Sequence, residues 1–340
     1  MTIKDIARES GYAISTVSRA LNNHPDVSRT AKAKIEQIVA QYGFEPNKNA
    51  RQLKAVQSKS ICLLVKGTFN TFFASIVERM QALICEAGFT AEVHYADEDA
   101  NEVLIAKTIC KEAKPMGIIF LGGNKQNFHD CFDGIDIPCV LSTTYFTDIE
   151  NKFLSTVGVD DVTSAKMAVD YLIDKGHTKI GVLGSNPQTS YTSRKRLEGA
   201  IDSYKEKGDA AFDVNYFEMA SYTLNSAYRA MKRLLARRKD ITAVFAMSDV
   251  MAIGACKAVF DLGKKVPEDI SVVGFDGIEF AEYYTPKLTT IKQPQEEIAR
   301  LSVALMLQNL GVQGSQDLAE DARHIEVKAS LIEGESVKKV

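Results

Sequence analysis

Tryptophan is absent from the 340 residues, so any aromatic stacking must come from Tyr and Phe. No apolar run approaches the roughly 18 residues that a membrane-spanning helix needs. The chain begins MTIKDIARES, polar from its second residue and without the apolar stretch of a secretory leader, so a cytoplasmic location with no membrane partner is expected. The six cysteines, Cys62, Cys85, Cys110, Cys131, Cys139 and Cys256, form no C-x-x-C pair and have no nearby His. Several lie in apolar stretches such as SICLLV and IPCVL, which predicts reduced core thiols rather than disulfides or a metal site. No G-x-G-x-x-G follows the first predicted strand, and G-x-x-x-x-G-K-[ST], H-E-x-x-H and G-x-S-x-G are missing. The five histidines are scattered, with His177 on a turn in KGHTKIG. Neither an enzyme nor a cofactor is expected.

What is present is unevenly distributed. Residues 1–60 hold ten Lys and Arg against five Asp and Glu, a net charge of +5, while the whole chain carries −3; the remaining residues therefore carry −8. A basic head on an acidic body suits a protein of which only the head meets phosphate.

The head reads as three short helices. Thr2 and Asp5 make a T-x-x-D start signal, Ile3, Ile6 and Ala7 recur at helical spacing, and Gly11 stops the pattern. After the turn G-Y-A-I, a second helix over Ser15–Leu21 turns Val17 and Leu21 inward. Its other face carries Ser15, Thr16, Ser18 and Arg19, side chains able to reach base edges and phosphates from a major groove. A third helix opens at Ser28 and runs to about Tyr42, with Ala31, Ile35, Ile38 and Val39 inward. The following PNKNARQLKAVQS is too polar and too short to hold a helix without a partner.

Taken in order, TIKDIARESG, STVSRALN and PNKNARQL resemble the N-terminal signature of the lactose/galactose repressor (LacI/GalR) family. The resemblance implies a DNA-binding set of Thr2, Ile14, Ser15, Thr16, Ser18, Arg19 and Asn22. It also implies a hinge that becomes helical when two subunits sit on DNA, with Leu53 wedged into the minor groove and Asn47, Ala50 and Arg51 completing the motif. Tyr12 and Ala13 depart from the family pattern, and Ala13 removes a helix cap or phosphate contact.

From Ser60 onward, ICLLV, TAEVHY, GIIFL, CVLS, KIGVLG, AVFAM and SVVGF alternate with helical patterns, the signature of parallel α/β sheets. One helix carries Ile76, Met80, Leu83, Ile84 and Ala87 and ends at Gly88. There are too many strands for one sheet, so two doubly wound lobes with a cleft between them are expected, the ligand lying at the carboxyl ends of the strands. Ser248 and Asp249 follow one strand and Asp276 another, each able either to meet a ligand or to cap the next helix. Arg196 offers a fork of donors and Tyr222 a ring for stacking. The resemblance continues through VGVDDVTSA, RLEGA, SDVMAIGA and VPEDISVVGFDG, and implies effector contacts at Phe72, Phe73, Asp160, Arg196, Tyr222, Ser248 and Asp276, with Asp249 adjacent. Ser142, Thr143 and Thr144 replace the family's Asp-Arg pair after the fourth strand, which implies a pocket rim of altered charge.

The expected organisation is an all-α helix-turn-helix head (1–45), a hinge (46–59) and a periplasmic-binding-protein-like core (60–340). Its N-lobe spans about 60–160 and 292–322, and its C-lobe about 161–291 and 323–340. The expected function is sequence-specific transcription regulation: a homodimer on a near-palindromic operator, repressing a carbohydrate-use operon until a sugar or sugar-phosphate inducer binds. A regulator using a purine-type corepressor or a phosphoprotein partner is the alternative, and a free solute-binding protein a remote one. The C-terminal EGESVKKV has no leucine heptads for a tetramer-forming coiled coil.

Overall fold

The computed structural model describes residues 3–21, 26–42, 59–67, 70–207, 212–312 and 323–340. It divides into two compact units, Met1–Gln57 and Ser58–Val340.

The first unit contains α1 (Ile3–Ser10), α2 (Ile14–Leu21) and α3 (Arg29–Gln41). Gly11, at φ +72°, ends α1 in the left-handed conformation that glycine adopts without a Cβ penalty, and its N–H returns to the Ala7 carbonyl. Ser28 opens α3, its hydroxyl accepting the Ala31 amide. Helices of eight residues do not stand alone. These are held by a shared core of Ile6, Ala7, Val17, Ala20 and Ile35, closed at the edge by Tyr12, Leu21, Ile38 and Val39.

The second unit starts with β1 (Ser60–Lys66), α4 (Thr71–Glu86), β2 (Thr90–Ala96), α5 (Glu102–Glu112), β3 (Gly117–Leu121), α6 (Lys125–Cys131), β4 (Cys139–Ser142) and β5 (Leu154–Gly158). It then crosses to α7 (Asp161–Asp174), β6 (Ile180–Gly184), α8 (Tyr191–Lys207), β7 (Phe217–Met219), α9 (Leu224–Arg237), β8 (Ala243–Ala246), α10 (Asp249–Asp261), β9 (Ser271–Asp276), α11 (Glu279–Tyr283) and β10 (Thr289–Lys292). The chain returns with α12 (Gln295–Asn309) and β11 (His324–Glu326), and finishes on β12 (Ser330–Ile332). The first sheet has the order β11-β5-β4-β3-β1-β2 and the second β12-β10-β9-β8-β6-β7. Among the described residues all pairings are parallel except β12 with β10, an antiparallel edge of the kind that open α/β sheets often carry.

Two expectations need correction. The last crossing between lobes falls after β11 rather than at residue 323, because His324–Glu326 pairs with Thr156–Gly158 and Val327 donates its amide to the Gly158 carbonyl, covering an otherwise open sheet edge. The thiols are free, but only Cys62, Cys139 and Cys256 are buried, and Cys85 is exposed. His177 is buried, its ring held between the Thr242 hydroxyl and the Lys338 carbonyl, and has a structural role.

Close helix packing frames the second lobe. Gly199 on α8 faces the Val162 carbonyl of α7, and Gly254 on α10 faces the Leu224 carbonyl of α9; a Cβ at either position would collide with backbone. Among the described residues, no helix is long and apolar enough to cross a membrane.

Candidate functional site

In the first unit, α2 buries Val17 and Ala20 and leaves Ile14, Ser15 and Arg19 exposed, with Thr16 and Ser18 half-buried beside them. Ile14 is 47% exposed on this face. The Ala13 carbonyl accepts the Thr16 and Val17 amides, so the helix opens on backbone bonds without a side-chain oxygen from Ala13. Thr2, Asn22, Asn47, Ala50, Arg51 and Leu53 lie outside the described residues.

In the second unit, the carboxyl ends of strands from both sheets face one another across a cavity of about 280 Å³. Lys66 ends β1, Gly122–Asn124 follow β3, and Thr143 and Thr144 follow β4. From the other lobe come Ser185 after β6, Asp276 at the end of β9 and Gln293 after β10. At the rim the lobes touch: Asn124 donates through Nδ2 to the Thr189 carbonyl at 2.9 Å, and Phe146 meets Tyr191 edge to face with ring centroids 6.1 Å apart. Thr143 (φ 70°) and Asp276 (φ 107°), both lining the cavity, hold backbone conformations unfavourable for side chains with a Cβ; such strain concentrates at binding sites.

Of the expected effector contacts, Phe72, Phe73, Arg196, Tyr222 and Asp276 converge on this cavity. Arg196 is 4% exposed; its Nε donates to Asp161 Oδ1 at 2.8 Å, Nη1 donates to the Met247 carbonyl and lies 3.8 Å from Asp276 Oδ1, and the guanidinium stacks on Phe275. The Tyr222 hydroxyl is hydrogen-bonded to Ser193 Oγ at 2.8 Å. Burial pushes the Asp276 carboxyl up to about 7 against the opposing pull of Arg196.

The other three do not line the cavity. Asp160 caps α7 by accepting the Val162 amide, Ser248 caps α10 by accepting the Met251 amide, and Asp249 accepts from Thr290 Oγ1 at 2.6 Å and the Ile278 amide at 2.9 Å. A residue just past a parallel strand meets the unpaired amides of the next helix first, which occupies Asp160 and Ser248, whereas Asp249 is taken by β10 and the loop after β9. Residues that sequence reasoning missed include Lys66, Glu98, Asp99 and Gln293. Lys66 and the acidic HYADEDANE stretch directly follow predicted strands and were within reach of the same strand-end rule; Gln293 follows TTIK, too short and too rich in Thr to read as a strand.

Asp249 has a measurable consequence. Burial, reinforced by neighbouring Asp276, pushes its carboxyl up to about 8. The fold therefore keeps a proton that an unfolded aspartate, near about 3.9, has already lost, and stability falls as pH rises between those values. Asp249→Asn removes this dependence. Its stability relative to the unsubstituted protein is expected to rise with pH in that window, by at most about 1.4 kcal/mol per unit. Urea unfolding at pH 5.5 and pH 8 measures the slope; a pH-independent difference between the two proteins would contradict it.

A basic three-helix head with an exposed polar helix face, joined in one chain to a two-lobed α/β unit with a ligand-sized cleft, defines a DNA-binding transcription regulator. Residues 2–47 match the model for bacterial regulatory proteins of the lacI family, and residues 169–337 match a periplasmic binding protein-like domain. The chain is 39% identical over 339 residues to the HTH-type transcriptional regulator MalR of Clostridium butyricum, with 99% of each chain covered. Two solved structures share the fold across 99% of both chains: the CelR–cellobiose complex (TM-score 0.71, 24% identity) and the lac repressor dimer bound to operator and an anti-inducer (TM-score 0.69, 23% identity). The chain belongs to the LacI family of bacterial transcription regulators.

Proposed function

We propose that this protein is a repressor of carbohydrate-use genes that leaves its operator when a sugar or sugar phosphate occupies the interlobe cleft. The observation that carries the reading is the cleft itself: hydroxyl-bearing Thr143, Thr144, Ser185 and Ser190 line it together with Asp276 and Gln293, and Phe73 and Tyr222 add ring surface. Paired hydrogen-bonding groups beside aromatic faces suit a ligand that is polar at its edge and apolar on its faces, as a sugar is. The sugar in the CelR–cellobiose complex supports it. The protein acts by binding, with no bond made or broken, and works in the cytoplasm where its DNA lies.

A homodimer on a near-palindromic site follows from the single short recognition helix, which gains too little specificity alone. Leu224, Phe280 and Tyr283 are 51%, 64% and 78% exposed, and with Val250, Ile253 and Tyr284 they border an apolar groove suited to a second copy. DNA contacts are assigned to Ile14, Ser15, Thr16, Ser18 and Arg19, with Thr2, Asn22 and the hinge residues Asn47, Ala50, Arg51 and Leu53 completing the interface. Cleft closure in the dimer changes the spacing of the two heads and releases the hinge.

The test is selection of an operator from genomic fragments, followed by fluorescence anisotropy with candidate sugars. Release by a sugar is the expected result. Tighter binding with a purine or a phosphoprotein would replace the inducer reading with the corepressor one.

A further inference from the structure

Resting on the assignment of the cleft as the effector site, we infer that this cleft selects an uncharged saccharide and rejects the phosphorylated or carboxylated form of the same sugar. Its two cations are already matched by buried carboxylates, while two further carboxylates stand at its wall without a cation of their own.

Lys66 and Arg196 are the cationic side chains among the described residues lining the cavity. The Lys66 ammonium lies 2.7 Å from Glu102, whose side chain is 1% exposed and also accepts the Asn124 amide at 2.6 Å and Asn127 Nδ2 at 3.0 Å. Arg196 is held by Asp161, which is equally buried, by the Met247 carbonyl and by the ring of Phe275. An incoming phosphate could take either cation only by stranding Glu102 or Asp161 in the interior, where an unpaired charge is strongly unfavourable.

Two other features that would attract an anion are also occupied. Asn70 takes the Phe72 amide in the first turn of α4, and Ser190 takes the Ser193 amide in the first turn of α8. Meanwhile Glu98 and Asp99 line the cavity, and no ion pair among the described residues engages them. This excess of negative charge persists whether or not Asp276 is protonated, since Lys66 and Arg196 each keep a carboxylate of their own.

The uncharged features point the same way. Gln293 is 1% exposed and lines the cavity; its Nε2 donates to Asp276 at 2.8 Å, but its Oε1 has no hydrogen-bond partner among the described residues. A buried acceptor of this kind calls for a donor from the ligand. A sugar hydroxyl supplies one, whereas a phosphate dianion or carboxylate placed at this acceptor cannot.

Isothermal titration calorimetry on the full chain, with glucose, maltose and cellobiose set against glucose 6-phosphate, maltose 6-phosphate and glucuronate, tests the inference. A neutral sugar is expected to bind at least about 100-fold more tightly than its charged counterpart, the scale of several kcal/mol that like-charge juxtaposition costs. In the double variant Glu98→Gln, Asp99→Asn, with its melting temperature checked, the gap is expected to narrow at least tenfold. Equal or tighter binding of the charged form, or an unchanged gap in a folded double variant, would overturn the inference while leaving the sugar-effector reading in place. Binding of no saccharide in either form, with the protein folded, would remove that reading and the inference with it.

Discussion

Arg196→Ala is expected to destabilise the two-lobed unit by about 3–5 kcal/mol, the largest effect of any single substitution in the cleft. Asp161 and Asp276 lose the one cation they pair with among the described residues, the Met247 carbonyl loses a donor, and Phe275 loses the stacked guanidinium. Sequence alone suggests a cleaner outcome, with DNA binding preserved and only the effector response abolished. The burial of Arg196 changes that expectation, because truncation leaves two carboxylates in a water-poor interior. Chemical denaturation of the full chain measures the loss. Adding Asp161→Asn to Arg196→Ala is expected to recover part of it by removing one stranded charge. A loss below about 1 kcal/mol in the single variant would mean that water or a rearranged side chain satisfies both carboxylates, and that Arg196 is a ligand contact more than a structural clamp.

On DNA, Arg19→Ala is expected to weaken specific binding by about 1–3 kcal/mol, roughly 5- to 150-fold, with the large unit's stability unchanged. Arg19 is exposed on α2, on the side away from Val17 and Ala20. If it pairs with a guanine edge, discrimination at one operator position falls while the salt dependence changes little. If it contacts phosphate, affinity falls across all sequences and the salt slope drops by about one. Anisotropy titrations at two salt concentrations, on cognate and scrambled duplexes, separate these. Leu53→Ala is expected to produce a comparable loss on cognate DNA and little change on scrambled DNA, since a minor-groove wedge stabilises the bent complex only where the duplex kinks readily. Equal losses on both duplexes would count against the wedge.

Much of the architecture is legible before any coordinates. The i, i+3 and i+4 recurrence of Ile3, Ile6 and Ala7, of Val17 and Leu21, and of Ala31, Ile35, Ile38 and Val39 predicts the helices and the core of the head, and Gly11 and Ser28 mark where helices stop and start. The apolar runs predict β1–β4, β6, β8 and β9 in their chain order. These features follow from interactions between residues a few positions apart, and such interactions are written directly into the order of side chains.

The cleft is different, because its walls come from residues up to about 227 positions apart, from Lys66 to Gln293. Asp160 and Asp161 are neighbours in sequence, yet one caps a helix near the surface and the other neutralises Arg196 in the interior. Asp249 and Asp276 each stand at a strand end, but only Asp276 faces the cavity while Asp249 holds a loop. Reading strand ends identifies which residues are available to a ligand; only the packing of two sheets against each other determines which ones are used. The sequence by itself therefore determined the head, the two-lobed α/β body and the family, through local periodicity and motif spacing. The tertiary structure alone decided the pairing of Lys66 with Glu102 and of Arg196 with Asp161, and so the charge a ligand meets, because Coulomb energy depends on distance and burial rather than on position along the chain.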